Sequence, residues 1–342
     1  MNEIRTIEPF IRLGERLAEE LLDGTIEPVI RRSEAENPWF SRANVVSAIQ
    51  AICTDMLDGR NLGSWLARYP AAGRPSDETV GIVMAGNIPL VGFFDLLCVL
   101  ICDRRCLIKP SSKDRVLIGH IVDLLREIEP RFSIGALEGK VPDRLIASGS
   151  DEARRHFASV YPDTPSLLRG HRYSVAVLSG QESDRQLDGL YDDVFSYFGL
   201  GCRNVSRIFV PRGYDLRRLC RRLSARPITH TGYLNNYRQA RAMRLLSGTE
   251  FIDGGFFLMR PGADKEGPLS EIACTSYESV GSVERLLRER DREIQCVVSA
   301  TLDHPRRVDF GQAQHPSLTD YPDGIDVMEF LLAGSPADRR QL

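Results

Sequence analysis

The segment FGLGCRNVSRIFVP, residues 198–211, contains the side chain with the clearest capacity for covalent chemistry. Cys202 follows a glycine and precedes the strand-like sequence VSRIFVP. A thiolate held in such a turn is a strong nucleophile toward carbonyl carbon. Cysteine is also among the residues most often buried as an ordinary hydrophobic side chain. The residue alone therefore leaves open whether Cys202 is a nucleophile or part of the core.

Two polar turns contain groups that suit an oxyanion or a nucleotide. Asn87 lies in AGNIPL, where Pro89 stiffens the turn and Gly86 allows close approach of another chain segment. Its amide could donate to a developing oxyanion or satisfy the backbone of its own turn. In KPSS, Lys109 and Ser111 suit ribose hydroxyls or a phosphate, although the same residues could form a solvated turn.

A third turn, in ASGSDEARR, begins a predicted helix. Gly149 and Ser150 precede the helix, and Asp151 and Glu152 lie in its first turn. Backbone N–H groups and the helix dipole favour an anion such as phosphate at this end. A serine N-cap followed by acidic residues is also the pattern of an ordinary helix start. No Gly-x-Gly-x-x-Gly motif lies in a useful place, so the sequence lacks an ordinary dinucleotide-binding fingerprint.

Alternating strands and helices position these turns. From Thr79 the sequence predicts strands and helices in the order TVGIVMAGNIPL, FFDLLCVLICD, CLIKPSSKD, RVLIGHIVDLLREI, DRLIASGSD and DEARRHFASVY. From Arg169 it predicts SVAVLSG, DGLYDDVFSYFG, NVSRIFVP, YDLRRLCRRLSA and, after a mixed segment, EIQCVVSA. This alternation indicates an α/β fold with parallel strands covered by helices. Ligands of such sheets bind beyond the carboxyl ends of the strands, where the three turns lie.

Composition and charge exclude several classes of protein. The 342 residues include 44 Lys and Arg against 47 Asp and Glu, which gives a net charge of −3. We therefore expect no nucleic-acid partner. The N-terminus predicts an amphipathic helix rather than an export signal. The longest apolar run, PLVGFFDLLCVLIC, contains Asp95 and is too short to span a bilayer. We expect a soluble, cytoplasmic protein without a membrane span.

The cysteine spacing does not indicate a metal centre. None of the eight cysteines forms a C-x-x-C pair, and no histidine lies near Cys98, Cys102 and Cys106. We therefore expect no metal cofactor and assign the seven cysteines other than Cys202 to structure.

The order of the motifs is more specific than any one of them. A strand ending in GNIPL, a strand ending in KPS, a Gly-Ser turn and then GCRNVSRIFVP resembles the aldehyde dehydrogenase superfamily. Within it, most of residues 80–335 resemble the long-chain acyl-CoA reductase family, which comprises the reductase component of the bacterial bioluminescence fatty-acid reductase and free-standing relatives. The segments that carry this closer resemblance are GIVMAGNIPLVGFFDLLCVL, KPSSKD, YFGLGCRNVSRIFVP, EIQCVVSA and FGQAQHPSLTDYPDGIDVMEFLL.

The resemblance implies an aldehyde dehydrogenase-like α/β fold with a parallel-sheet nucleotide-binding domain and an α/β catalytic domain. We place an N-terminal helical region at residues 1–75 and the nucleotide-binding domain at 76–168. The catalytic domain, with the nucleophile Cys202, follows at 169–305, and residues 306–342 form a C-terminal segment that packs back across the domains. The superfamily also implies a homo-oligomer.

The implied reaction is NADPH-dependent reduction of a long-chain acyl-CoA or acyl-protein thioester to the fatty aldehyde through a thioacyl-enzyme. An acyl-protein synthetase or a carrier protein is then a candidate partner. The residues that match the family positions are Cys202 and Asn87 for catalysis, and Lys109, Ser111, Ser112, Gly149, Ser150 and Glu271 for the cofactor. Two alternatives remain: a CoA-acylating aldehyde dehydrogenase for shorter acyl groups, and a non-catalytic relative that binds acyl thioesters or nucleotide.

Two departures from the superfamily pattern refine this expectation. Leu168 occupies the position of the glutamate that activates water in hydrolytic members, so the intermediate is expected to exchange with a thiol instead. Ser112 replaces a glutamate that binds the ribose 2′-hydroxyl in many NAD-preferring members, and Lys113 adds a positive charge. This favours NADPH, with NADH as the alternative. The remaining candidates are His171, His230 and His315 for protonation of the leaving thiol, and Phe198, Phe256 and Phe257 for the acyl pocket.

Overall fold

The computed structural model describes the backbone of residues 2–333 and the side chains of residues 6–333. The helices are α1 (Asn2–Asp23), α2 (Glu27–Glu36), α3 (Arg42–Ala51), α4 (Gly59–Leu66), α5 (Phe93–Ile101), α6 (Arg115–Ile128), α7 (Asp151–Val160), α8 (Asp184–Phe195), α9 (Leu216–Leu223), α10 (Thr231–Ser247), α11 (Val280–Glu289) and α12 (Val327–Leu332). The strands are β1 (Thr79–Val83), β2 (Arg105–Lys109), β3 (Ile134–Ala136), β4 (Arg144–Ser148), β5 (Ser166–Arg169), β6 (Tyr173–Val177), β7 (Val205–Pro211), β8 (Ile252–Asp253), β9 (Leu258–Pro261), β10 (Glu271–Tyr277), β11 (Ile294–Val298) and β12 (Arg307–Val308). The predicted alternation of strands and helices is confirmed.

The chain divides into two compact units. Unit 1 comprises residues up to 171 and from 317 onward, and unit 2 comprises residues 172–316. The expected boundary at 168/169 would have cut through β5, which ends at Arg169. The helical residues 1–75 belong to unit 1, and the expected C-terminal segment divides at 316/317. Residues 334–342 of that segment lie outside the described residues.

The sheet of unit 1 has the strand order β3-β2-β1-β4-β5, and every pairing in it is parallel. Strand β1 is central because it pairs with β2 on one side and β4 on the other. Val80 and Ile82 on one face and Val83 on the other are all buried, as expected for a strand covered on both faces. The strand order reverses between β1 and β4, which is where α/β sheets of this kind bind ligands.

The N-terminal helices complete the core of unit 1. Phe10, Leu13 and Leu17 recur along α1 at the spacing of one helix face and are buried. That face packs in one hydrophobic cluster with α4, α5 and α6. None of the helices in the described part of the chain is long and apolar enough to cross a membrane.

The C-terminal residues of the described chain are tied into unit 1 by buried polar groups. The Arg144 guanidinium donates to the carbonyl of Phe330 at 2.8 Å and to that of Ala333 at 2.6 Å. The Tyr69 hydroxyl donates to Asp326 Oδ2 at 2.5 Å. Asp326 also caps α12 through its other carboxylate oxygen. Unit 1 is therefore assembled from two separate stretches of the chain.

The sheet of unit 2 has the order β12-β11-β6-β7-β10-β9-β8, in which only the β8–β9 pairing is antiparallel among the described strands. Helix α8 begins with a capping box between Ser183 and Gln186. Leu187, Leu190 and Val194 form its buried face. Residues 196–204, which we call the cysteine loop, connect α8 to β7.

A buried ion pair fixes the helix that follows β1. Arg169 Nη1 lies 2.9 and 2.7 Å from the two carboxylate oxygens of Asp95 and 3.1 Å from Ser148 Oγ. Both charged side chains are 6% exposed. Because Asp95 is in the first turn of α5, the pair connects that helix to the carboxyl ends of β4 and β5.

We expect Asp95→Ala to destabilise unit 1 by about 3–5 kcal/mol, because it leaves the Arg169 charge buried without its partner. Asp77→Ala is the control, since the Asp77–Arg105 pair is exposed and should contribute less than about 1 kcal/mol. Denaturant unfolding of both variants measures the difference. Equal losses would show that the buried pair has no special role.

Candidate active-site residues in the two units

Solvent exposure separates Cys202 from the other cysteines. All eight cysteines lie among the described residues, and Cys202 is exposed while Cys53 is half-buried. The six that are buried are Cys98, Cys102, Cys106, Cys220, Cys274 and Cys296. Burial raises the pKa of Cys53 to about 11 and that of Cys274 to about 12. These thiols therefore stay protonated at neutral pH, whereas the Cys202 thiol is accessible to reagents.

The backbone of the cysteine loop is strained just before the nucleophile candidate. Tyr197, Phe198 and Gly199 have φ values of 51°, 57° and 74°, so three consecutive residues adopt left-handed conformations. Only the glycine adopts this conformation without steric cost. The other two conformations cost free energy and persist because surrounding contacts fix them, a pattern that is concentrated at functional sites.

Asn204 supplies those contacts from the far end of the loop. It is 4% exposed, and its Nδ2 donates to the carbonyls of Asp193, Val194 and Ser196 at 3.2, 3.3 and 2.9 Å. Its Oδ1 accepts from the Gly201 N–H at 2.8 Å. One side chain thus satisfies the end of α8 and holds the backbone beside Cys202. Sequence analysis missed Asn204, because its partners are backbone atoms.

The peptide that joins Gly201 to Cys202 has a defined orientation. The Gly201 carbonyl accepts from the Asn204 N–H at 3.0 Å. The described chain contains no cis peptide bond, so the Cys202 N–H points to the side opposite that carbonyl. The loop therefore fixes the direction of the Cys202 N–H.

A second anchor holds the cysteine loop to residues 311–313. Arg203 Nε donates to the Ala313 carbonyl. The Asp193 carboxylate accepts from the N–H groups of Gly311 and Ala313 at 2.7 and 2.9 Å. Burial raises the pKa of Asp193 to about 6 although these N–H donors lower it. The Arg203 side chain therefore has a hydrogen-bond partner in unit 2.

The predicted aromatic residues have different environments. Phe198 is half-buried and stacks on His230 with 4.5 Å between ring centroids. Phe256 and Phe257 are buried and pack against Phe195. Only Phe198 therefore combines partial exposure with a position in the cysteine loop.

The predicted histidines also differ. His230 Nδ1 accepts from the Tyr233 N–H at 3.2 Å and so caps α10. That bond places the proton of a neutral ring on Nε2. His171 and His315 are exposed, and His171 belongs to unit 1.

Glu271 lies in surroundings that do not suit its expected role. Its side chain is 1% exposed. The Arg244 guanidinium donates to its carboxylate oxygens at 2.9 and 2.8 Å, and Arg260 Nε lies 2.8 Å from Oε2. Both oxygens are engaged by these two arginines, so a cofactor contact of Glu271 stays a prediction and would have to compete with two ion pairs.

In unit 1, two predicted turns are in direct contact. Strand β1 ends at Val83 opposite Lys109 of β2, and residues 84–92, here called the asparagine turn, follow it. A Cβ atom at Gly86 would lie 2.4 Å from Ser111 Oγ and 2.5 Å from its Cβ. Position 86 therefore requires glycine, and Ser111 packs directly against the turn that contains Asn87.

The other predicted nucleotide contacts lie at the same edge of this sheet. Lys109, the last residue of β2, and Ser112 are exposed, and Asn87 is half-buried. Ala147 of β4 pairs with Val83, so the Gly149–Ser150 turn follows the neighbouring strand. Ser150 Oγ accepts from the Ala153 N–H at 3.2 Å, which confirms an N-cap at the start of α7. Within the described residues no group of three His, Cys, Asp or Glu side chains could hold a metal ion.

Asp114 is a buried carboxyl group that sequence analysis missed. It is 1% exposed, and its Oδ2 accepts from the Leu90 N–H at 2.8 Å. Leu90 has a φ of 57°, so this bond stabilises a strained residue of the asparagine turn. Burial raises the pKa of Asp114 to about 8 although the Leu90 N–H lowers it. In the sequence, Asp114 is the last residue of KPSSKD, and a single aspartate in a polar turn gives no sign that it is buried.

We expect Asp114→Asn to change the pH dependence of stability. The folded pKa of about 8 exceeds the ordinary value of 3.8, so this group stabilises the fold at acidic pH and that contribution is lost as pH rises from about 4 to about 8. Asparagine keeps an oxygen for Leu90 but does not titrate. Relative to the wild type, the variant should therefore become more stable as pH rises through this range. Thermal unfolding from pH 5 to 9 measures the effect, with exposed Asp123→Asn as control, and a constant difference would contradict the assignment.

Comparison with known proteins identifies the fold. No protein-family model and no curated protein matches the sequence. Solved structures do match: aldehyde dehydrogenase 21 from Physcomitrella patens, with a TM-score of 0.67 and 11% identity, covers 97% of this chain and 84% of its own. An NAD-dependent benzaldehyde dehydrogenase from Corynebacterium glutamicum has a TM-score of 0.65 and 14% identity, over 89% of this chain and 77% of its own. A Mycobacterium tuberculosis aldehyde dehydrogenase in complex with NAD+ has a TM-score of 0.63 and 14% identity, over 89% and 74%. The chain has the aldehyde dehydrogenase fold.

Proposed function

We propose that this protein is an NADPH-dependent reductase that converts a long-chain acyl-CoA or acyl-protein thioester to the aldehyde through a thioacyl-enzyme on Cys202. The observation that carries the proposal is the exposure of Cys202 in a strained loop, while the other seven cysteines are buried or half-buried. An accessible thiol in a turn fixed by side chains is what nucleophilic catalysis at a thioester requires.

The first half of the proposed reaction is acyl transfer. The Cys202 thiolate attacks the thioester carbonyl, a carbon–sulfur bond forms, and the carbonyl electrons move to oxygen. The oriented Cys202 N–H is the first proposed donor to this oxyanion. Asn87 is the second proposed donor to the oxyanion, because it lies in the GNIPL motif that resembles the superfamily. Collapse of the oxyanion breaks the bond to the CoA sulfur, and CoA leaves as a thiolate.

The second half is reduction of the thioacyl group. NADPH, when bound, supplies a hydride to the acyl carbon. The second oxyanion collapses, the bond to the Cys202 sulfur breaks, and the aldehyde leaves while the thiolate is regenerated. The thiolate of the departing CoA takes up one proton, and His230 is its proposed source in the unit that contains Cys202, because the His230 ring stacks on Phe198 of the cysteine loop.

The residue at position 168 supports reduction over hydrolysis. Leu168 is half-buried in β5, at the position where the resemblance places the water-activating glutamate. A leucine cannot take a proton from water. The proposed thioacyl-enzyme therefore persists long enough to be reduced or to return to CoA.

The lysine turn, residues 109–114, supports NADPH as the electron donor. Lys109, Ser112 and Lys113 are exposed, and Ser111 packs on Gly86 at the edge where sheets of this order bind nucleotides. These residues fit a nucleotide that carries a ribose 2′-phosphate, because a carboxylate at position 112 would repel it. Gly149 and Ser150 are the proposed contacts for the pyrophosphate.

Acylation by labelled substrate tests the nucleophile. Wild-type protein incubated with an acyl-CoA that carries a radioactive acyl group should acquire one label at Cys202 and lose it as aldehyde when NADPH is added. Cys202→Ala should acquire none, and the control Cys53→Ala, which changes the half-buried cysteine, should label normally.

The same assay separates the alternatives. A wild-type protein that is never acylated would contradict the proposal and favour a binding-only relative. Acylation that discharges fastest with short chains, together with rapid aldehyde oxidation in the presence of CoA, would favour a CoA-acylating aldehyde dehydrogenase.

Substitution at position 112 tests the nucleotide preference. We expect Ser112→Glu to raise the KM for NADPH at least about tenfold, since its carboxylate repels the 2′-phosphate, with little change or an improvement for NADH. Ser112→Gln has the same shape without the charge and is the matched control. Equal effects of Glu and Gln on the two nucleotides would place the 2′-phosphate elsewhere.

A further inference from the structure

The strand beneath the cysteine loop is irregular on both of its edges. Strand β6 pairs with β7 on one side, where the register shifts between Ser174 and Val175. On its other side it pairs with β11, where the register shifts between Ile294 and Val297. Both ladders are therefore interrupted next to Ser174. Backbone groups that regular pairing would satisfy need other partners at this point.

The Ser174 hydroxyl provides these partners. Ser174 is fully buried, and its Oγ donates to the Cys202 carbonyl at 2.9 Å. The same oxygen accepts from the Cys296 N–H at 3.1 Å and lies 3.2 Å from the Cys296 thiol. A hydroxyl has one hydrogen to donate and two lone pairs to accept. Its hydrogen-bonding capacity is therefore used within the sheet.

We propose that Ser174 is the positioning residue for the Cys202 nucleophile, because its hydroxyl fixes the peptide that follows Cys202 to strand β6 of unit 2. This inference rests on the proposed function. The peptide before Cys202 is already held through Gly201 by Asn204. With Ser174, the peptides on both sides of Cys202 are held by hydrogen bonds, one from within the cysteine loop and one from β6.

Loss of the hydroxyl should affect the reaction more than the fold. Alanine at position 174 leaves the Cys202 carbonyl without this donor, and the loop can relax. A displacement of about 1 Å at a reacting group can cost about 100-fold in rate. The rest of β6 keeps its backbone pairing with β7 and β11.

Ser299, the residue after β11, offers a matched control because its hydroxyl also bonds to β6. It is 2% exposed, and its Oγ donates to the Val177 carbonyl at 3.1 Å. Val177 is the last residue of β6, at the end away from Ser174. Ser299→Ala thus removes a buried serine hydrogen bond to β6 without touching the cysteine loop. Cys296→Ala removes a thiol that lies 3.2 Å from Ser174 Oγ and 3.9 Å from the Arg203 carbonyl, and it keeps the N–H donor to Ser174.

The experiment compares full-length Ser174→Ala, Ser299→Ala and Cys296→Ala. Thermal unfolding reports the structural cost, and single-turnover acylation by acyl-CoA reports the reaction. Alkylation of Cys202 by iodoacetamide over a range of pH, located by mass spectrometry, reports the nucleophile independently of any substrate. We expect the two serine variants to lose similar stability, but only Ser174→Ala to slow acylation, by about 10- to 100-fold. Only in Ser174→Ala should the pH–rate profile of Cys202 alkylation also shift. For Cys296→Ala we expect the rates of acylation and alkylation to stay within about twofold of the wild type.

The outcomes separate this inference from the proposed function. If the wild type is acylated, and Ser174→Ala and Ser299→Ala are acylated at equal rates, the positioning role is overturned. The reductase proposal then stays intact. If the wild type is never acylated, the reductase proposal fails, and alkylation alone decides the role of Ser174. In that case an unchanged alkylation profile in Ser174→Ala overturns the inference, and a shifted profile supports it.

Discussion

Ionisation of a thiol requires a polar environment, and this constraint sorts the cysteines of the chain. In the apolar interior the thiolate is disfavoured, so burial raises the pKa of Cys102 and Cys274 to about 12. The fold can use only a cysteine that it keeps outside its cores. It does so by leading the chain from α8 to β7 through a short loop in which Cys202 is the exposed residue. The remaining polar architecture of unit 2 holds that loop in one conformation.

Buried side chains, rather than contacts with water, offset the free-energy cost of the conformation of the cysteine loop. Left-handed conformations at Tyr197 and Phe198 cost on the order of 1–3 kcal/mol each. Asn204 and Asp193, both buried, compensate by satisfying several backbone groups apiece. Each of these side chains would be unfavourable in the core without its partners. The conformation of the loop is therefore held by buried polar side chains with backbone partners.

Strands and turns with a local sequence pattern could be predicted, whereas contacts between residues that are distant in the sequence were missed. Strands such as TVGIV and the turns after them could be predicted, because burial on both faces gives continuous apolar runs. Helix α10 was missed, since only Tyr233 and Ala240 along its 17 residues are buried and no helical periodicity results. Asn204 and Asp114 look like ordinary turn residues until their backbone partners are known. For Glu271, the two arginines that enclose it lie on α10 and β9, which no local pattern reveals.

The division of unit 1 into two stretches has a consequence for biosynthesis. Unit 2 is one continuous stretch inserted into unit 1, so on the ribosome it can acquire its native structure as soon as its last strand emerges. Unit 1 begins first but has to wait for Phe330 and Ala333, the carbonyl partners of Arg144. During translation at about 5–20 residues per second, its sheet therefore spends many seconds without the closing helix. The unit that is synthesised first is therefore the one completed last.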